Sequence, residues 1–224
     1  MDTIIKISNL YKNYHLPHET LQVLNGIDLE IEKDKTYFIS GRSGSGKSTL
    51  LRIMGGVDLE FSGSVLIGEQ KLKDLDLWQL SRLRQRKIGF VFQDFYLLSY
   101  LTAVENVVLP GLFTDKNSGK ISKRAKWLLT RLDLEKVMDH QVHQLSRGEK
   151  QRVAFARALI NNPTIVLADE PTASLDEVNQ ELLFNLLTEL KQENPFTLIA
   201  VIHSSKTQPD HWLKLTDGKL EVLC

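Results

Sequence analysis

The sequence predicts an α/β protein in which a mainly parallel sheet forms the core, an antiparallel β subdomain precedes it, and a helical subdomain is inserted into it. Short apolar runs alternate with charged helical segments, as where residues 164–168 precede residues 177–192. This order is typical of strands buried on both faces of a parallel sheet. A glycine-rich segment, Gly41–Ser48, follows a predicted strand and precedes a predicted helix. We expect residues 1–224 to form a single domain.

The N-terminal part is predicted to be β-rich because apolar and polar side chains alternate along it. Pro17-His18-Glu19 separates a first hairpin-like unit, and Gly26 interrupts the second apolar run. A helix is predicted at residues 49–54, where it ends at Gly55-Gly56. The predicted strands are residues 4–7, 23–31 and 36–40.

The remainder alternates helices and strands around a helical subdomain that we place at residues 94 to about 160. A polar cluster at residues 114–119 predicts a loop within it. Trp78, Trp127 and Trp212 lie on apolar faces and are interpreted as packing residues. The predicted helices are residues 75–86, 122–134 and 177–192, and the predicted strands are residues 88–92, 164–168, 197–202 and two short strands ending at Leu223.

Composition excludes several classes of protein. The 28 basic and 28 acidic side chains give zero formal charge, so there is no electrostatic reason to expect a nucleic-acid surface. The single cysteine, Cys224, excludes an intramolecular disulfide and a cysteine metal site, and the cytosol is the expected compartment. No apolar run approaches the roughly 20 residues that span a bilayer. Any membrane attachment is therefore expected to come from a partner, without direct insertion.

The segment Gly41–Ser48 matches the phosphate-loop pattern G-x-x-x-x-G-K-[ST]. Its glycines allow backbone N–H groups to turn towards a phosphate, and the following helix points its positive end at the same anion. In this pattern Lys47 reaches the β- and γ-phosphates and the Ser48 hydroxyl binds Mg²⁺.

The predicted strand at residues 164–168 ends in Asp169-Glu170. A carboxylate at the end of a neighbouring strand completes a Mg-nucleotide site, so Asp169 is the expected magnesium residue. Glu170 is placed to polarise an attacking water. The two motifs together predict nucleoside-triphosphate binding with hydrolysis.

Further motifs indicate which phosphate-loop family is involved. Leu145-Ser146-Arg147-Gly148-Glu149 resembles the signature motif of ATP-binding-cassette (ABC) ATPases, usually L-S-G-G-Q or L-S-G-G-E. The chain also keeps that family's order, with Gln93 after a strand, Ser174-Leu175-Asp176 after Glu170, His203 after another strand, and Tyr14 27 residues before Gly41. The resemblance covers nearly the whole chain and implies a P-loop NTPase core of the ABC type.

The resemblance implies a head-to-tail homodimer that encloses two MgATP between its subunits. Each ATP would be held by the phosphate loop of one chain and by Ser146 and Gly148 of the other. Tyr14 would stack on adenine, and Asp176 would organise the subunit interface. By the same resemblance, Gln93 links Mg²⁺ and water, and His203 contacts the γ-phosphate. The implied nucleotide-binding residues of the loop are Gly41, Ser43, Gly44, Ser45, Gly46, Lys47, Ser48 and Thr49.

Each of these residues also has a purely structural interpretation. Ser146 followed by Glu149 is a capping box that opens an amphipathic helix, with or without a role in ATP binding. Gln93 could be a buried strand-end side chain, His203 a satisfied core histidine, and Asp176 the N-cap of the next helix.

The chain departs from the family pattern at four positions. Arg147 replaces the first signature glycine, Lys150 follows where Gln is usual, Asp34 stands where Gly is usual, and Ser204 follows His203 where Asp is common. Asp34 tolerates a left-handed turn. Arg147 either attracts the opposite triphosphate or crowds the interface, and our hypothesis is that closure survives because Ser146 and Gly148 are retained.

Within the ABC group, Phe90-Val91-Phe92-Gln93, Leu101–Val107 and Gly55-Gly56-Val57-Asp58 resemble the subfamily of lipoprotein-releasing, macrolide-export and cell-division ATPases. That resemblance implies a separate transmembrane permease and a peripheral position at the cytoplasmic face of the inner membrane. The apolar segment Phe95–Leu98 is then either a docking surface or part of the helical core. The alternative function is a soluble ABC ATPase acting on DNA or ribosomes, which is disfavoured because the chain has one uninterrupted cassette, no heptads and no net positive charge.

Overall fold

The computed structural model describes residues 2–15, 17–114, 117–173, 175–203 and 206–223. Strands and helices alternate in the order that the sequence predicted, with two additional strands. The strands are β1 (Thr3–His15), β2 (Thr20–Glu32), β3 (Thr36–Ser40), β4 (Ser62–Ile67), β5 (Gln70–Lys71), β6 (Ile88–Val91), β7 (Ile165–Ala168), β8 (Thr197–Val201), β9 (His211–Thr216) and β10 (Lys219–Leu223). The helices are α1 (Lys47–Met54), α2 (Leu77–Lys87), α3 (Ala103–Val108), α4 (Ser118–Arg131), α5 (Arg147–Leu159) and α6 (Glu177–Glu193), with 3₁₀ turns at Leu72–Asp74, Leu109–Phe113, Glu135–Val137 and Val142–Gln144.

The larger sheet has the strand order β10-β9-β3-β8-β7-β6. All of its neighbouring pairs are parallel except β9 with β10. The mainly parallel sheet predicted from the apolar runs is therefore confirmed, and its carboxyl ends share one edge. This edge carries the loops that follow β3, β6, β7 and β8.

Two apolar cores cover the two faces of this sheet. In β3, Phe38 packs into one core whereas Tyr37 and Ile39 pack into the other. The same alternation holds in β7, where Val166 belongs to the first core and Leu167 to the second. A strand buried on both faces must be apolar at every position, which is why β7 appears as a continuous apolar run.

The smaller sheet is antiparallel, in the order β2-β1-β4-β5. The predicted hairpin of β1 and β2 is present, whereas β4 and β5 were not predicted. The first residues of β4 are Ser62-Gly63-Ser64, which lack the apolar alternation that marks a strand. Gly63 lies so close to Asn9 that an added Cβ would approach the Asn9 carbonyl oxygen to 2.1 Å. Close backbone approach therefore selects a glycine within this strand.

Helices α3, α4 and α5 share the apolar core that lies on one face of the larger sheet. Helix α4 begins four residues before its predicted start because the Asn117 side chain accepts a hydrogen bond from Gly119 N at 2.8 Å and caps the helix. The predicted loop at residues 114–119 is therefore wrong at its C-terminal end. Asp115 and Lys116 of that loop lie outside the described residues.

Two of the three tryptophans pack against the core and the third is exposed. Trp127 and Trp212 pack against the core, as interpreted from the sequence. Trp78 does not, because it is 65% exposed on α2 with the Arg82 guanidinium carbon 5.1 Å from its ring centroid. Within the described part of the chain, no helix combines the length and the apolar character needed to cross a bilayer.

Candidate nucleotide-binding site

The loop between β3 and α1 has a conformation that requires glycine. Gly41, Gly44 and Gly46 have φ angles of 150°, 78° and 101°. A Cβ added to Gly41 would lie 2.3 Å from the Leu215 carbonyl oxygen, whereas a Cβ at Gly44 would meet nothing within 4 Å. The loop is thus closed against the sheet at Gly41 and open at Gly44, which leaves its backbone accessible to a ligand.

The polar groups of this loop fit an anion. Lys47 is buried, and its Nζ donates to the carbonyl oxygens of Gly41 at 3.0 Å and Arg42 at 2.8 Å. Ser45 Oγ is buried without a hydrogen-bond partner, and the first turn of α1 after Gly46 has no side-chain cap. An orphaned hydroxyl and uncapped N–H groups at a helix N-terminus are what a phosphate group would satisfy. Ser43 and Thr49 flank these groups on the same loop and helix.

The magnesium residues predicted from the sequence are in contact. Ser48 Oγ donates to Asp169 Oδ1 at 2.9 Å, although the two residues are 121 positions apart. Burial raises the pKa of Asp169, and the Ser48 hydrogen bond partly opposes that rise. A hydroxyl and a carboxylate oxygen are ligands that Mg²⁺ prefers, so this pair can hold the ion beside the loop.

A second polar cluster centres on Glu170. Gln93 Nε2 donates to Glu170 Oε2 at 3.1 Å, and His203 Nε2 lies 3.2 Å from Glu170 Oε1. The three residues follow β6, β7 and β8, which are neighbours in the sheet. Gln93 and His203 are both exposed, so the interpretations of a buried glutamine and a core histidine are wrong. The carboxylate of Glu170 is held at the open edge of the sheet, where it can accept a proton from water.

Tyr14 lies beside the phosphate loop. Its hydroxyl is 3.4 Å from Thr49 Oγ1, on the first turn of α1, and 3.5 Å from Asp58 Oδ2. Lys12, two residues earlier on β1, is 1% exposed, and its Nζ donates to Asp58 Oδ1 at 2.9 Å. The sequence analysis did not select Lys12. The available signal was a lysine in the inward register of β1, two residues after the fully buried Leu10.

Ser146 caps α5 as predicted. Its Oγ accepts a hydrogen bond from Glu149 N at 3.3 Å, and its own N–H donates to Glu149 Oε2 at 2.7 Å. Hydrogen bonding of the Glu149 carboxyl to Ser146 lowers the pKa of that carboxyl. A Cβ added to Gly148 would lie 3.6 Å from Leu175 Cδ2, so the signature segment adjoins the segment that precedes α6.

Asp176 is exposed and caps α6 by accepting a hydrogen bond from Asn179 N at 2.8 Å, which agrees with its structural interpretation. Ser174, Ser204 and Cys224 lie outside the described residues. Arg147 is exposed at the first turn of α5. Asp34 has a φ of 60°, so it takes the left-handed turn that was expected of it.

The segment after Gln93 divides between core and surface. Phe95 packs against the helical core, whereas Tyr96 is 65% exposed. Tyr96 lines a groove of about 490 Å³ with Phe113 of the 3₁₀ turn after α3 and Arg157 of α5. The Arg157 guanidinium donates to the carbonyl oxygens of Phe95 and Tyr96, and burial lowers its pKa.

Comparison with known proteins places these features in a family. Residues 24–173 match the ABC transporter family. The lipoprotein-releasing system ATP-binding protein LolD of Shewanella frigidimarina is 40% identical over 222 residues, which cover 98% of this chain and 93% of that protein. The uncharacterized ABC transporter ATP-binding protein MJ0796 of Methanocaldococcus jannaschii is 41% identical over 224 residues, which cover 97% of this chain and 95% of that protein.

The fold agrees with these sequence matches. A solved dimeric structure of the ATP-binding cassette MJ0796, in a post-hydrolysis state bound to ADP and Pi, superposes with a TM-score of 0.89 at 40% identity. The match covers 97% of this chain and 96% of that one. A phosphate loop, a strand-end carboxylate pair and a capped signature helix thus occur together in a chain that matches the family over most of its length, and the chain belongs to the ABC transporter ATPase family.

Proposed function

We propose that this chain is the ATP-binding and ATP-hydrolysing subunit of an ABC transporter. The observation that carries the proposal is the convergence of three side-chain contacts on two neighbouring carboxylates at the carboxyl edge of the sheet. Ser48 contacts Asp169 beside the phosphate loop, while Gln93 and His203 both contact Glu170. Neighbouring carboxylates thereby take separate tasks, one suited to a metal and the other to a water molecule.

The chain's own residues account for binding. Backbone N–H groups at the start of α1 and the ammonium of Lys47 supply positive charge for the triphosphate. The unpartnered Ser45 hydroxyl supplies a further hydrogen bond. Mg²⁺, when bound, neutralises charge on the phosphates. Ser48 and Asp169 would hold that ion.

Hydrolysis requires a fixed acceptor for the proton of the attacking water. Glu170 fits this role because two side chains hold its carboxylate and its side chain is 19% exposed. Its backbone φ of 47° is rare for a non-glycine residue. Gln93 and His203 orient Glu170 and remain available to the water and to the γ-phosphate.

We propose that the active unit is a head-to-tail homodimer. Strand β3, which leads into the phosphate loop, is separated from β6 by β8 and β7, a span of about 14 Å at ordinary strand spacing. Helix α5 packs against β6, where an added Cβ on Gly89 would meet Ala158. A second chain is therefore the natural source of Ser146 and Gly148 for each ATP, with Asp176 at the interface.

We propose that a transmembrane permease docks at the groove lined by Tyr96, Phe113 and Arg157. Its exposed aromatic rings and half-buried guanidinium suit a helix with apolar side chains. The subunit then works peripherally at the cytoplasmic face of the inner membrane, with residues 94 to about 160 as the docking subdomain. Since close relatives carry the name of the lipoprotein-releasing system, we propose an envelope lipoprotein as the transported substrate.

Enzymatic function is tested with purified protein. Glu170→Gln should bind MgATP and accumulate as a dimer while ATP hydrolysis falls at least about a hundredfold, as for loss of a general base. Glu189→Gln, an exposed carboxylate on α6, is the matched control and should behave like the parent. A Glu170→Gln protein that stays monomeric with MgATP, or that hydrolyses ATP at the parental rate, would contradict the mechanism.

The partner is tested by recovering the tagged chain from detergent-solubilised membranes. A multispanning protein should co-purify, and Tyr96→Glu should abolish its recovery. Tyr100→Glu changes a tyrosine that is 68% exposed but does not line the groove, so it should have no effect. Recovery with ribosomes or DNA alone would favour the soluble alternative.

A further inference from the structure

We propose that Lys12 and Asp58 are positioning residues that hold Tyr14 against the base of the bound nucleotide. The inference rests on the proposed nucleotide site and extends it to a buried ion pair. This pair would affect nucleotide affinity through the tyrosine ring.

The ion pair is unusual in its burial. Lys12 is 1% exposed, and its Nζ lies 2.9 Å from Asp58 Oδ1, whose side chain is 17% exposed. Leu10, two residues earlier in the same register of β1, is a fully buried apolar residue. A buried lysine costs desolvation free energy that a leucine or methionine would not. Stability alone therefore gives no reason for a cation at this position.

The cation is placed against Tyr14. Lys12 Nζ lies 4.7 Å from the centroid of the Tyr14 ring, within the range of a cation–π interaction. The two side chains share a face of β1 because they are two residues apart. The hydroxyl end of the ring is 3.4 Å from Thr49 Oγ1. The ring is thus held at one face and at its tip, which leaves the opposite face for a nucleobase.

Asp58 ties this arrangement to the phosphate loop. It follows α1, and its N–H donates to the Arg52 carbonyl oxygen of that helix at 3.2 Å. Its Oδ1, which accepts from Lys12 Nζ, also accepts from Glu60 N at 3.0 Å, so two donors fix this oxygen. The Lys12–Asp58 pair consequently joins β1 to the helix that carries Lys47 and Ser48. The ion pair thereby sets the distance between the Tyr14 ring, on which the base would stack, and the phosphate loop.

The test compares two ligands and two lysines of β1. Lys12→Met removes the buried cation and keeps the side-chain length. Lys6→Met removes an exposed cation of the same strand, β1, which pairs with Glu30 of β2. We expect Lys12→Met to weaken MgATP binding about tenfold, the equivalent of one cation–π contact and lost orientation. Binding of magnesium tripolyphosphate, which has no base, should be unchanged. The expected kinetic change is a higher KM with an unaltered kcat, and Lys6→Met should match the parent in every assay.

A double-mutant cycle identifies the route of the effect. In a Tyr14→Leu background, Lys12→Met should cause no further loss of MgATP affinity. Equal loss of MgATP and tripolyphosphate affinity would overturn the inference, because it would indicate damage to the phosphate loop. Parental MgATP affinity in a folded Lys12→Met protein would also overturn it. If Lys12→Met does not fold, the isosteric Asp58→Asn takes its place under the same criteria. Failure of the parent itself to bind either ligand would instead refute the proposed function.

Discussion

Ser146 offers a test that separates helix capping from nucleotide binding. Its hydroxyl caps α5 by accepting from Glu149 N, and it is exposed at the helix N-terminus. Aspartate is as good an N-cap as serine, so Ser146→Asp keeps the cap and adds a negative charge. If Ser146 only begins a helix, this change is harmless. If Ser146 meets the triphosphate of a second chain, the added charge opposes that contact.

The two effects differ in size. Ser146→Asp should change the free energy of unfolding by less than about 0.5 kcal/mol, whereas Ser146→Ala should cost about 1 kcal/mol through the lost cap. Two like charges about 4 Å apart repel by about 4 kcal/mol at an effective dielectric constant of about 20. The dimer has two nucleotide sites, so one such contact in each adds up to about 8 kcal/mol and lowers the ATP-driven dimerisation constant by about a millionfold.

The assay is size-exclusion chromatography with light scattering in the Glu170→Gln background, with and without MgATP, together with urea unfolding of each variant. Thr102→Asp is the matched control, because Thr102 caps α3 through the same kind of capping box with Glu105. This control should dimerise normally. Dimerisation of Ser146→Asp at the parental MgATP concentration would refute the composite site and leave only the capped helix.

Three further outcomes are expected. Lys47→Ala should abolish MgATP binding in a fluorescent-nucleotide titration, because it removes the cation of the loop, and retained affinity would contradict its assignment. Arg147→Gly should change the ATPase rate by less than about tenfold, since the change keeps Ser146 and Gly148, the proposed phosphate contacts; a rise of several orders of magnitude would show that Arg147 crowds the interface. Arg157→Met should lower the free energy of unfolding by about 2 kcal/mol in urea, as hydrogen bonds from a charged donor to the carbonyl oxygens of Phe95 and Tyr96 are lost.

Local chemistry made much of this protein predictable from its sequence. The phosphate loop was predictable because left-handed glycines and a helix N-terminus leave a fixed pattern of residue types. The capping box of Ser146 and the left-handed turn at Asp34 were predictable for the same reason. Strand β7 was found because a strand buried on both faces has no polar positions.

Features that depend on tertiary contacts were not predictable. Strand β4 begins with small polar residues and exists because β1 lies beside it. Trp78 was taken for a packing residue because helical periodicity does not say which face of α2 has a partner. The burial of Lys12 was not predictable either, because a buried lysine needs a partner of opposite charge. Asp58 is that partner, and it meets Lys12 only in the folded chain.

The strand-end pair Asp169-Glu170 shows how strand order turns a sequence motif into a site. Asp169 and Glu170 directly follow β7, and Glu170 has a positive φ of 47°. The Asp169 carboxylate contacts Ser48, which lies beyond β3, whereas the Glu170 carboxylate contacts Gln93 after β6 and His203 after β8. Since β7 lies between β6 and β8, only this order places Gln93 and His203 on both sides of one carboxylate. The motif supplies two acids, and the strand order gives each of them different neighbours, as the proposed division between a metal residue and a water-activating residue requires.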